Sequence, residues 1–171
     1  MEKIKAAGPP ANPFPLCRWP GPFRWLATCL ILTLLTGYGV SLLQVFDRSH
    51  FDMMKTVAYY RGDESAGDEA IMLPQDYRTM LSVAHVHTFS QPFLFAFLGL
   101  IFAFSSAGRR TKIFFIVLSF AASLVSNATP WCLRYVSAKM VWLFPLSQFA
   151  ILISIAVMAA VSLRELWFKK I

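Results

Sequence analysis

Two histidines, a serine and a glutamine stand at the head of a long apolar run. The stretch Ser82 to Phe93 holds His85, His87, Ser90 and Gln91, and the run continues to about Phe104. Polar and ionisable groups are expensive inside a bilayer, so they mark function more often there than in a soluble core. An imidazole can ligate iron or hold a hydrogen-bonding ligand, and a carboxamide can orient it. Spacing limits which of them act together. His87, Ser90 and Gln91 are at i, i+3 and i+4 and share one helix face. His85 is rotated ~200° from His87, at ~100° per residue, and shares its side with Phe89 and Pro92. Two histidines so placed cannot ligate one ion from a regular helix. They serve two centres, or one ligates while the other bonds elsewhere. A kink near Pro92 would change these angles.

The elements that must position this stretch are membrane helices. The 171 residues are 57% hydrophobic and 15% aromatic, with a mean hydropathy of +0.55. That is more apolar material than a water-soluble core needs. The net charge of +7 sits beside apolar runs, where topology and anionic headgroups explain it better than nucleic acid does. The expected fold is an all-α integral membrane protein, a four-transmembrane-helix up-down bundle with spans at about 23–46, 81–104, 113–127 and 141–163. Residues 1–22 are Pro-rich and are expected as an extended cytoplasmic tail. Trp19, Phe23 and Trp25 look like an interfacial aromatic belt. The first apolar run is too long for a signal-peptide core and lacks a small-residue cleavage site, so it is expected to be retained. Residues 47–80 form an acidic outer loop. Phe51 to Tyr60 is expected as a short interfacial helix, and Pro74-Gln75-Asp76 as the start of the second membrane helix.

Basic residues set the expected orientation. With both termini cytoplasmic, the inner segments hold ten of them, including the Arg109-Arg110-x-Lys112 turn, and the outer loops hold six. That orientation gathers the polar intramembrane groups at one end. The first span brings Tyr38, Ser41 and Gln44, and the second brings His85, His87, Ser90 and Gln91. The third brings Ser126, Asn127 and Thr129, and the fourth brings Ser147 and Gln148. The supporting layer around the histidines is expected from Ser90, Gln91, Asn127 and Gln148. The other half of each span is mostly aliphatic and aromatic.

The stretch from about Ala84 to Phe102 reads His-x-His and then an aromatic-rich run ending Gly99-Leu100-Ile101-Phe102. It resembles the ligand helix of small bacterial membrane b-type cytochromes and the HxH-bearing helices of haem-copper-oxidase-like membrane proteins. The resemblance covers roughly a tenth of the chain. It implies that His85 or His87 ligates haem b near the periplasmic face and passes electrons to a quinone or a periplasmic carrier. The chain departs from a diheme pattern, because its third and last histidine is His50. One haem would pair a span histidine with His50 or with Met53, Met54, Met72 or Met80.

Other readings stand beside this one. The chain fits a non-catalytic structural or assembly subunit of a larger membrane complex, with the polar layer as interhelical hydrogen bonding. It also fits a quinone- or lipid-binding subunit built from His87, Gln91 and aromatics. A transporter is disfavoured, since no charge lies deep in a span and no broken-helix pair is visible. No HExxH motif occurs and no span supplies a carboxylate, so no catalytic residue is assigned and activity is expected only within a redox complex. Cys17, Cys29 and Cys132 have no metal-ligand spacing. The expected setting is the bacterial inner membrane, multi-pass, with the lipid bilayer and other membrane or periplasmic redox subunits as partners.

Overall fold

The computed structural model describes residues 14–63 and 73–169. The first thirteen residues of the Pro-rich tail lie outside them. So do Glu64, Asp68 and Glu69 of the acidic loop, the ligand candidate Met72, and Lys170. The described residues form five α-helices: α1 Gly21–Ser49, α2 Met53–Arg61, α3 Tyr77–Ala103, α4 Arg109–Tyr135 and α5 Leu143–Trp167, with 3-10 turns at Leu16–Arg18 and Ala138–Trp142. The segments Gly21–Ser49, Tyr77–Ala103, Arg109–Tyr135 and Ala138–Trp167 are each long and apolar enough to cross a membrane. At ~1.5 Å per residue the shortest reaches about 40 Å, more than the ~30 Å hydrocarbon thickness. The all-α, four-span architecture is therefore present.

Local chemistry explains most helix ends. The Asp76 carboxylate accepts from the Arg78 and Thr79 amides, at 2.9 and 3.2 Å, and starts α3 four residues before the expected membrane boundary. The Asp52 carboxylate accepts from the Lys55 amide at 3.0 Å and starts α2. That hydrogen bond holds the Asp52 carboxyl below its usual pKa. The interfacial helix does not begin at Phe51, as expected. His50 and Phe51 have φ of 50° and 58°, a left-handed kink that ends α1 and forces a new start.

The third span, about 113–127 with Trp131 and Tyr135 as its interfacial extension, is one helix, α4, that runs to Tyr135 through Pro130, with Thr129 and Leu133 fully buried. Residues 14–20, expected to be extended, are not a simple tether. Leu16 is fully buried and joins the same core cluster as Ile31, Phe102 and Leu166.

The helices pack unevenly. α4 and α5 meet along small residues, with Ser119, Ser123, Ser126, Ser147 and Ser154 all buried, and small side chains let membrane helices approach closely. A Cβ on Gly99 would stand 3.4 Å from Ile116, so α3 also lies close to α4. By contrast, of the 29 residues of α1 only Ala27, Ile31 and Ser49 are buried. Its N-terminal third is clamped at the basic end of the bundle. Trp25 packs edge-on against Trp167 at 4.9 Å, and Trp167 Nε1 donates to Thr28 Oγ1 at 2.9 Å. Trp19 packs edge-on against Phe104 at 5.6 Å, and Arg24 donates to the Cys17 and Trp19 carbonyls.

Glu165 supplies a further tie at this end of the bundle. It is buried, and its carboxylate accepts from the Ser106 amide, at 2.7 and 2.8 Å to its two oxygens, and from the Ser106 hydroxyl. This ties the end of α5 to the α3–α4 turn. Glu165→Ala leaves the turn's donors without acceptors and is expected to cost about 1–3 kcal/mol. The thermal unfolding midpoint in detergent should fall, and it should fall less for Glu165→Gln, which keeps one acceptor. An unchanged midpoint for Glu165→Ala would remove the clamp from the account.

Candidate ligand-binding cavity

Because α1 is pinned at the basic end and packs sparsely beyond it, a cavity of about 540 Å³ opens at the other, polar end. All five helices line it. Along α1 it extends from Thr33 to Arg48, about 22 Å at ~1.5 Å per residue. The deep part is apolar, with Leu34, Leu94, Phe95, Leu98, Ile151 and Ile155. The middle carries Tyr38, His87, Gln91, Ser126, Asn127 and Gln148. The mouth carries Arg48, Tyr59, Tyr60 and Gln75.

The middle layer is a connected hydrogen-bond network. Gln91 Oε1 accepts from Ser123 Oγ at 2.6 Å and from Asn127 Nδ2 at 3.0 Å. Its Nε2 lies 3.4 Å from His87 Nδ1, one turn away. Turning the Gln91 and Asn127 amides end for end preserves every contact, with Gln91 then donating to Ser123 and Asn127 and accepting from His87 Nδ1–H, so the network couples the imidazole to α4 in either tautomer. A second chain joins the other helices. Gln148 Nε2 donates to Ser126 Oγ at 3.0 Å, and the Tyr38 hydroxyl donates to the Gln148 carbonyl at 2.9 Å.

The residues expected at the site are distributed as follows. His87, Ser90, Gln91, Asn127 and Gln148 all line the cavity. Ser90 donates to the Val86 carbonyl of its own helix at 2.8 Å. His85 is exposed on the other side of α3, with its ring 5.7 Å from Phe89. The two histidines do not converge, as their spacing required. His50 caps the end of α1 against Phe46, ring to ring at 5.0 Å, and is outside the lining. Among the described lining residues the other soft donor is Met80, on the same helix as His87 and two turns away. No group of three or more His, Cys, Asp or Glu gathers among the described residues.

Sequence reading missed Ser123, Arg48 and the Tyr59–Tyr60 pair as site residues. Ser123 was visible as the middle of a Ser119, Ser123, Ser126 stripe at i, i+4 and i+7. The mouth was not visible, because it depends on how α2 folds back. Arg61 Nη1 donates to the Leu133 carbonyl at 3.2 Å, and the Gln75 amide donates to the Tyr60 carbonyl at 3.2 Å. Together these hold α2 across the cavity.

Tyr38 bridges α1 to α5 inside the cavity, so Tyr38→Phe should free the polar-end half of α1. Spin labels on Gln44→Cys and Val83→Cys, with the native cysteines replaced, should report a distance distribution several ångströms broader than in the Tyr38 protein. An unchanged distribution would mean that the hydrogen bond does not hold α1.

No curated protein and no solved structure matches the chain. One family model, Aq_1264_TM, described as a transmembrane helical domain, matches residues 50–171. The match takes in α2 to α5, and with them most of the cavity wall, while α1 lies before it. The protein is a small multi-pass integral membrane protein, and its chain belongs to the Aq_1264_TM family of transmembrane helical domains.

Proposed function

We propose that the protein is a quinone-binding subunit of a membrane electron-transfer complex, with the ligand's ring in the middle layer of the cavity and its tail in the apolar depth. The observation that carries this reading is the cavity of about 540 Å³, with an apolar depth and a middle layer in which the Gln91–Asn127 network holds the His87 imidazole. Imidazole, carboxamide and phenol groups beside hydrocarbon match a neutral acceptor on a lipophilic body, and a quinone carbonyl is such an acceptor. Concave, mostly apolar sites with a few placed polar groups are the usual form of small-molecule pockets.

Haem b, expected from the His-x-His resemblance, needs a second axial ligand. The lining offers no second histidine among the described residues, and its other soft donor, Met80, lies on the same helix as His87. These residues do not fit a six-coordinate haem.

We place the polar end on the periplasmic side of a bacterial inner membrane, with both termini cytoplasmic. The support is the basic end, where Arg18, Arg24, Arg109, Arg110, Lys112, Arg164 and Lys169 face a single described acid, the buried Glu165. The opposite end is mixed, with Asp47, Asp52, Asp63 and Asp76 among Arg48, Lys55, Arg61, Arg78, Arg134 and Lys139.

The test is the affinity of the purified protein for a decyl-substituted benzoquinone. His87→Leu removes one neutral hydrogen bond and should weaken binding roughly tenfold, from about 1.4 kcal/mol. His85→Leu, on the lipid-facing side, should leave it unchanged. Equal losses in the two variants, or none in His87→Leu, would overturn the reading. A b-type reduced-minus-oxidised spectrum that disappears in His87→Leu would replace it with the haem reading.

A further inference from the structure

The mouth of the cavity holds a formal charge that nothing in the lining balances. Arg48 lies in the last turn of α1, and among the described lining residues there is no Asp, Glu or Lys. Its guanidinium stands 5.6 Å from the centre of the Tyr59 ring. It makes no hydrogen bond or ion pair with another described residue. Beside it lie the hydroxyls of Tyr59 and Tyr60 and the carboxamide of Gln75, also without hydrogen bonds among the described residues. Burial raises the Tyr60 hydroxyl pKa, which keeps it a proton donor at neutral pH. The rim is thus a ring of donors around one cation, above a shaft that ends in Leu98 and Ile155.

An exposed cation at the mouth of a cavity whose depth, below the polar middle layer, is apolar complements an anion that carries a hydrocarbon chain. The guanidinium fork matches phosphate oxygens in pairs, and phenol hydroxyls supply further donors. Phosphatidylcholine fits less well, because its own ammonium balances its phosphate. We infer that the Arg48 mouth binds the phosphate of an anionic bilayer phospholipid, whose acyl chain enters the shaft and excludes the quinone-type ligand. The lipid site stands on the mouth's own chemistry. The competition rests on the quinone reading above.

The full chain, reconstituted in nanodiscs of phosphatidylcholine alone or of equal parts phosphatidylcholine and phosphatidylglycerol, separates these claims. The decyl-benzoquinone is uncharged, so surface potential does not change its partitioning. Its affinity should be several-fold weaker in the mixed discs. The difference should vanish in Arg48→Gln and persist in part in Arg48→Lys, which keeps the charge but loses the fork. Circular dichroism checks that each variant is folded. Equal affinity of the wild type in both discs overturns the competition. Absence of quinone binding in either disc defeats the quinone reading instead. The lipid site is then decided by mass spectrometry of protein released intact from mixed discs. Preferential retention of phosphatidylglycerol that Arg48→Gln abolishes supports it, and equal retention of both lipids, or retention unaffected by Arg48→Gln, overturns it.

Discussion

A carboxamide within a membrane helix bundle has to find its partners largely within the protein. Gln91 meets that constraint through Ser123 and Asn127 of α4 and through His87, one turn away on its own helix. Each such contact is worth only about 0.6–2 kcal/mol. The larger consequence is positional, because α4 holds the amide and the amide holds the imidazole. The network joins α3 to α4, while Ser126, Gln148 and Tyr38 carry the connection on to α5 and α1.

The cavity itself comes from an uneven distribution of packing. At the basic end, tryptophans 19, 25 and 167, Arg24 and the Glu165–Ser106 clamp hold α1, α5 and the α3–α4 turn together. At the polar end α1 loses these partners, and the space beside it is bounded by α2 instead. A rigid α4–α5 pair, joined along buried serines, provides the fixed wall. The two halves of the membrane domain thus have separate tasks. One half anchors the helices, and the other holds a site that a lipophilic molecule can occupy.

Much of the architecture was legible in the sequence, because the bilayer demands long apolar helices and punishes stray polar groups. Four spans, a helix start at Asp76 and a polar layer at one end all follow from that demand. The face shared by His87 and Gln91, opposite His85, follows from helical spacing alone. What could not be read was anything that depends on how segments fold back. The apolar run of the third span fades near Asn127, and only the buried Thr129 and Leu133 show that packing carries one helix on to Tyr135. Leu16 and Cys17 sat in a Pro-rich stretch that gave no sign of reaching the core. Arg48 and the Tyr59–Tyr60 pair looked like ordinary interfacial residues until α2 brought them over the cavity.

The most direct measurement is the infrared spectrum of a bound benzoquinone carrying ¹³C at its carbonyls. If the His87 ring donates to the ligand, one of the two carbonyl bands shifts to lower frequency on binding, and the shift is absent in His87→Leu. Two carbonyl bands at the positions they have in plain lipid, with quinone bound, would contradict the hydrogen bond from His87 and the site built on it.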